Sequence, residues 1–291
     1  VGSKKAWFGY GMYAVLVALC SLYFRFPAAE VGDYLDRSIK GMNPDLSFAA
    51  AMIRPWPPLR LRFTDMQVVS TGADVPLVVA DNLVAGPQIR SMVQGKPIYV
   101  FKGEAYGGEF NGRLERHSDS APLGSASLSF TGIDLAEYKY LSEQLGRHLG
   151  GILGGSVDFQ SDTDHLLDNE GRTKLRVTDG RVELLQPLFG LDAIEFNDLT
   201  VEATLTNGVL TANMEFDGPE LRGTVSGTVR VLADIGQSRL SFKGMIEPQA
   251  QLGQLYPQAA AAFNLLKKKM RNGKYSFVVS GTVQQPNFSI L

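Results

Sequence analysis

Val201-Glu202-Ala203-Thr204-Leu205-Thr206-Asn207-Gly208-Val209-Leu210-Thr211-Ala212-Asn213-Met214-Glu215-Phe216 decides the fold. Val201, Ala203 and Leu205 alternate with Glu202, Thr204 and Thr206, the period of two that a strand imposes. Asn207-Gly208 supplies two residues that accept a positive φ, the strongest short hairpin signal. Leu210, Ala212, Met214 and Phe216 then alternate with Thr211, Asn213 and Glu215 on the way back. Each strand has one oily and one wet face, as an antiparallel sheet half open to water requires.

The pattern continues on both sides. Leu175 and Val177 alternate with Lys174, Arg176 and Thr178. Val225, Val229 and Val231 stand against Thr224, Ser226, Thr228 and Arg230, and Leu240, Phe242 and Ile246 extend the series. Two last strands are expected over Lys274–Gly281 and Gln284–Leu291, the second at an edge because Pro286 cannot donate to a ladder. Upstream, Arg54-Pro55-Trp56-Pro57-Pro58 ends any helix and restarts the chain in extended form. Leu59, Leu61 and Phe63 then alternate with Arg60, Arg62 and Thr64. Val75–Val84, Pro97–Tyr106 and Ser125–Thr131 read as strands, and Gly107-Gly108 as the turn into Glu109–Arg116. The 31 glycines suit a chain of many strands and turns.

Three helices punctuate this series. Ala28–Met42 is amphipathic, with Val31, Tyr34, Leu35, Ile39 and Met42 near one face. Asp134 with Glu137 resembles a capping box for a helix carrying Leu135, Tyr138, Leu141, Leu145 and Leu149, ended by Gly150-Gly151. Leu252–Met270 is rich in helix formers and ends in Lys267-Lys268-Lys269 and Arg271, where the helix dipole favours cations. Ile89–Val93 suits one helical turn.

The N-terminus is different. Trp7 to Phe24 holds no charge, with Lys4 and Lys5 before it and Arg25 after it. A helix of about 18 residues rises roughly 27 Å, near the thickness of a bilayer's hydrocarbon core. Val15, Leu16, Leu19, Leu22 and Phe24 favour insertion, and Trp7, Tyr10 and Tyr23 suit the two interfaces. A cleaved signal would be shorter and followed by small residues rather than Arg25-Phe26-Pro27, and Leu19 is large for the position before a lipidated Cys20. The expected organisation is a cytoplasmic tail and transmembrane anchor over 1–26, then one β-rich domain over 27–291. The lysines ahead of the helix keep the tail in the cytoplasm, which sends the body across the membrane, into the periplasm if the source is a Gram-negative bacterium.

Charge and motifs narrow the function. The chain has 28 basic and 30 acidic residues; without Lys4, Lys5 and Arg25 the body keeps 25 basic ones. Such a body has no field to hold a polyphosphate, which argues against nucleic acid. Cys20 is the sole cysteine, so the core must hold without an internal disulfide. His117, His148 and His165 stand singly. Gly223-Thr224-Val225-Ser226-Gly227 has the wrong spacing for a nucleophile elbow and lies in a strand pattern. Gly95-Lys96-Pro97 is no phosphate loop, and Asp158, Asp162, Asp164 and Asp168 lack the glycine and terminal glutamate of a calcium loop. No catalytic, cofactor or metal site is expected. Arg54, Arg60 and Arg62 read as a solvated strand face, with anionic lipid head groups as the alternative.

A sheet of this kind must hide its oily face in a trough, a closed barrel or a sandwich. The face that would do so is marked by Val201, Leu205, Leu210, Met214, Phe216, Val225, Val229, Leu240 and Phe242. A trough lined by such side chains would accept acyl chains, because the attraction follows apolar area.

The chain resembles the type II secretion system protein N family, which groups with AsmA-like proteins. The resemblance rests on the N-terminal apolar helix running into Arg25-Phe26-Pro27 and on Arg54-Pro55 through Pro58-Leu59-Arg60-Leu61. It rests also on Gly223-Thr224-Val225-Ser226-Gly227-Thr228-Val229 and on Ser280-Gly281-Thr282-Val283-Gln284-Gln285-Pro286-Asn287-Phe288. It implies a non-catalytic inner-membrane protein with a periplasmic β-rich body that works with other type II secretion components. It also implies a curved AsmA-like sheet with a hydrophobic groove linked to lipid. At this length a partner or self-association, as a homo-oligomer, would be needed to span the periplasm.

Overall fold

The computed structural model describes residues 25–72, 75–95, 97–115, 124–161, 169–188, 191–232, 235–255, 270 and 272–291. It also describes residues 7, 10–14, 17, 21, 23, 257 and 261. The protein is mainly β. Fourteen strands form one antiparallel sheet in which every strand pairs with its neighbours in sequence, from β1 at one edge to β14 at the other. They are β1 (Leu46–Trp56), β2 (Arg60–Ser70), β3 (Val78–Pro87), β4 (Ile98–Ala105), β5 (Gly108–Glu115), β6 (Ser125–Asp134) and β7 (Leu149–Gln160). Then follow β8 (Glu170–Leu188), β9 (Leu191–Thr206), β10 (Val209–Asp217), β11 (Leu221–Arg230), β12 (Arg239–Pro248), β13 (Tyr275–Thr282) and β14 (Pro286–Ile290). The sheet is open: β1 and β14 are not paired with each other, so of the three architectures left by the sequence the closed barrel is excluded.

The hairpin that opened the sequence reading forms as expected. Leu205 pairs with Leu210 across Asn207-Gly208, whose φ values of 50° and 70° suit a two-residue turn. The turn before β5 is shifted by one residue. Tyr106 (φ 52°) and Gly107 (φ 71°) form it, and Gly108 already belongs to β5. Val79 N–H donates to Tyr106 Oη at 2.8 Å, which gives Tyr106 a reason to occupy the turn. β1 is an addition to the reading. Its Ala49-Ala50-Ala51 run carries no strand signal, and pairing with β2 makes it a strand.

Two irregularities keep the oily side chains together. Ala51, Asp65 and Asp81 are skipped in the pairing of β1, β2 and β3. Asp65 takes φ 48°, a left-handed conformation that aspartate tolerates better than most residues. One unpaired residue per strand restores the face that simple alternation would lose. Accordingly Phe48, before the skip in β1, meets Phe63, beyond it in β2, edge to face at 5.9 Å. Asp179 (φ 51°) and Asn197 do the same between β8 and β9.

Helices are short. α1 (Ala28–Met42) packs on β1, as the sequence boundaries predict. Its packed stripe is Val31, Gly32, Leu35, Asp36 and Ile39, whereas Tyr34 is exposed, contrary to expectation. Gly32 faces Ile53, and Asp36 accepts the Phe48 N–H of β1 at 2.9 Å. α2 (Ile89–Val93) is the expected single turn. α3 covers only Lys139–Leu145. Asp134 ends β6 and accepts Ala136 N–H at 2.9 Å, and Gly146 (φ 62°) stops the helix, so Leu149 opens β7 instead of closing a stripe. α4 (Ala250–Leu255) begins the third expected helix; residues 257 and 261 are also helical, and most of the rest of that prediction lies outside the described residues.

In the anchor segment, Trp7, Tyr10 and Tyr23 are helical and exposed, while Val15, Leu16, Leu19, Leu22 and Phe24 lie outside the described residues. Among the described residues no helix is long and apolar enough to cross a membrane.

Candidate functional site: the apolar face of the sheet

The register carries the alternation from strand to strand. Leu205 faces Leu210, Leu210 faces Val229, and Val229 faces Leu240. Val201 faces Met214, Met214 faces Val225, and Phe242 stands in the row of Ala203, Ala212 and Gly227. Phe216 faces Leu199 and Gly223. All nine residues marked in the sequence therefore share one face, and all nine are half-buried, neither sealed nor free.

The same face runs on through the sheet. Leu175 and Val177 on β8 face Val201 and Leu199. Val157 faces Leu128, Phe110 faces Phe130, and Leu83 pairs with Phe63. At the far end Val279 faces Phe288. With strands about 4.8 Å apart, this surface extends roughly 60 Å across the sheet. Among the described residues, α1 is the only helix packed extensively on a strand. α4 adds a local cover, where Leu252, 2 % exposed, joins Leu221, Ile246, Tyr275 and Phe277 in a small sealed core.

Among the described residues eight phenylalanines on this face have a glycine as cross-strand partner, and in six of the pairs the ring lies over that glycine. These six are Phe101 with Gly112, Phe110 with Gly103, Phe196 with Gly180, Phe216 with Gly223, Phe242 with Gly227 and Phe277 with Gly244. A Cβ at Gly103, Gly223 or Gly227 would stand 2.6, 2.5 or 2.8 Å from the facing ring. Each ring thus lies down over bare backbone, which keeps the apolar surface low. The sequence signal was Phe-x-Gly, present as Phe101-Lys102-Gly103, Phe110-Asn111-Gly112 and Phe242-Lys243-Gly244, and the sequence reading overlooked it.

The opposite face is hydrated and charge-matched. Lys174 binds Glu202 at 2.9 Å and Arg181 binds Glu195 at 2.8 Å, in each case directly across the ladder. Arg222 meets Asp217 at 2.6 Å, and this pairing raises the arginine's affinity for its proton. Exposed pairs like these contribute little to stability and mainly keep the face wet.

Comparison with family models, with curated proteins and with solved structures returns no match.

Arg113, Glu115, Asp158, Glu170 and Arg172 share a recess of about 380 Å³ at the adjoining ends of β5, β6, β7 and β8. Among the described residues no three His, Cys, Asp or Glu side chains gather as a metal site would need. Burial pushes the Tyr106, Tyr138 and Tyr275 phenols up, and the Tyr106 and Tyr138 rings meet at 5.0 Å, tilted by 44°, beside α3. Glu220 is buried at the β10–β11 turn with Oε2 unpartnered, and burial raises its pKa. Asp36 is held below the usual carboxylate range by Lys40 at 2.6 Å and by the Phe48 N–H. Of the three histidines, His148 is described and exposed; His117 and His165 lie outside the described residues, as does Cys20.

Proposed function

We propose that the protein is a non-catalytic envelope protein that carries lipid acyl chains on the apolar face of its sheet while residues 7–24 tether it to the inner membrane. The observation that carries this reading is the continuous apolar surface, half open from β1 to β14 and, among the described residues, sealed only locally by helices. A soluble protein rarely leaves so large an apolar surface without an occupant. The bulge between β7 and β8, where Gly151 faces both Asp179 and Gly180, favours curling the sheet into a trough, since a bulge bends its strand. The tether is supported by exposure of Trp7, Tyr10, Met12, Tyr13, Val17 and Tyr23, large side chains on opposite sides of a helix that suit lipid rather than water. A periplasmic body follows from Lys4 and Lys5.

Native mass spectrometry of the whole chain, extracted in neutral detergent, tests the reading. Phospholipid should remain on the parent and be lost from Leu205→Glu and Phe242→Glu. A bare parent mass would reject it.

A second reading makes the protein an accessory subunit of the type II secretion system that assists export of folded proteins across the outer membrane. Beyond the resemblance, it is favoured by β14, which pairs on one side only and holds Phe288 exposed, a surface suited to strand addition by a partner. Affinity capture of the chain from its native membrane should recover secretion components; their consistent absence would count against this reading.

A further inference from the structure

The hydrated face changes character at the β1–β2 hairpin. Arg54 stands directly opposite Arg62 in the ladder, and Arg60 opposite Trp56. Like charges in directly opposed positions destabilise a sheet. None of these arginines forms an ion pair among the described residues. Asp65 on β2 and Asp81 on β3 form no ion pair with them; the acids that alternate onto this face, Glu104 and Glu109, lie on β4 and β5, and Lys102 occupies Glu109 at 3.1 Å. At strand spacing, Glu104 is roughly 10 Å from β2, about a Debye length away.

Arg230 and Arg239 also oppose each other, at the ends of β11 and β12. The first pair differs because it lines a recess. Arg54 and Arg62 enclose about 300 Å³ together with Tyr23, Met52, Pro55, Trp56 and Thr64. Arg62 is held in place: its Nε donates to Asn82 Oδ1 at 3.0 Å, and its guanidinium lies 5.1 Å from the centre of the Trp56 ring. That anchoring occupies one donor edge and leaves the terminal nitrogens for a ligand. A planar fork of this kind suits phosphate oxygens, and two opposed forks would share one anion and remove their mutual repulsion.

Tyr23 places the recess at the end of the apolar N-terminal segment, beside Arg25. We propose that Arg54 and Arg62 form a site for a phosphate group, that of a phospholipid head group at the membrane surface. The lipid source rests on the membrane-tethered reading; the arginine site itself does not.

The test uses the two tryptophans, Trp7 and Trp56. Trp7→Phe in the whole chain, in neutral detergent, leaves Trp56 as the sole reporter of the recess. Dihexanoylphosphatidylglycerol should produce a saturable change in Trp56 emission, and uncharged dihexanoylglycerol none. Arg54→Gln should weaken the response at least tenfold, Arg54→Lys should restore part of it, and Arg230→Gln should leave it unchanged. Saturation by inorganic phosphate at equal or lower concentration would support the phosphate site but assign it to free phosphate. No change with either probe, or an Arg54→Gln response equal to the parent's, would overturn the proposal. Because the reporter lies on the hydrated face, this result is independent of acyl-chain retention by the apolar one.

Discussion

The covered end of the sheet and its open middle are built from the same alternation, yet they end in different states. Across β11–β13, α4 drops Leu252 onto Leu221, Ile246 and Tyr275, and these side chains are sealed. Across β8–β10, Leu175, Val201, Leu205, Leu210 and Met214 remain half-buried, with Val177, Phe196 and Ala212 buried among them. The strand pattern is the same in both places; a helix laid over it seals positions that are otherwise left half open.

Truncation should expose this difference most strongly. Leu252→Ala removes a fully packed side chain and should cost about 2–4 kcal/mol. Leu205→Ala, half-buried, should cost at most about 1 kcal/mol. Chemical denaturation of the two variants measures the gap; equal costs would mean that the middle is as sealed as the end.

The glycines opposite phenylalanine sharpen the comparison. Gly244→Ala forces the Phe277 ring off the backbone within the packed end and should destabilise by about 1–3 kcal/mol. Gly112→Ala meets the Ser127 carbonyl oxygen at 2.6 Å as well as the Phe101 ring, so the ring's freedom to rise does not relieve it and its cost should be similar to that of Gly244→Ala. Its further effect should be weaker lipid retention, read by native mass spectrometry.

Protonation distinguishes the covered end from the helix-capped β1 edge. Glu220, beside Leu221, has its pKa raised by burial. A raised value means a contribution present below the unfolded pKa, about 4.3, and lost as pH rises through the folded value. Glu220→Gln should therefore raise the melting temperature at pH 8, with the gain fading toward pH 4. Asp36 behaves in the opposite sense. Lys40 and the Phe48 N–H lower its pKa, so its contribution is present above about pH 4 and is lost as pH falls further. Asp36→Asn should give the smallest shift of the series, seen as a weaker loss of stability under acid.

Much of the sheet was legible in the sequence because its signals were local. Asn207-Gly208 fixed a register, and alternation from Val201 to Phe242 placed nine side chains on one face. β1 was not legible, since three alanines carry no face and only β2 makes them a strand. Nor was the end of α3: Leu149 fits a helical stripe until Gly146 stops the helix and β8 recruits the chain. The Phe-x-Gly triplets hint at the phenylalanine–glycine pairs, but which glycine each ring faces, like the Arg54–Arg62 opposition, becomes visible only once the register of neighbouring strands is known.

Photolabelling tests the open apolar face most directly. A phospholipid with a diazirine at its acyl terminus, bound to the whole chain in neutral detergent and irradiated, should mark Leu205, Leu210, Val225 and Phe242 and spare Thr204 and Thr211. Label confined to residues 7–24, with none on the sheet, would contradict the account.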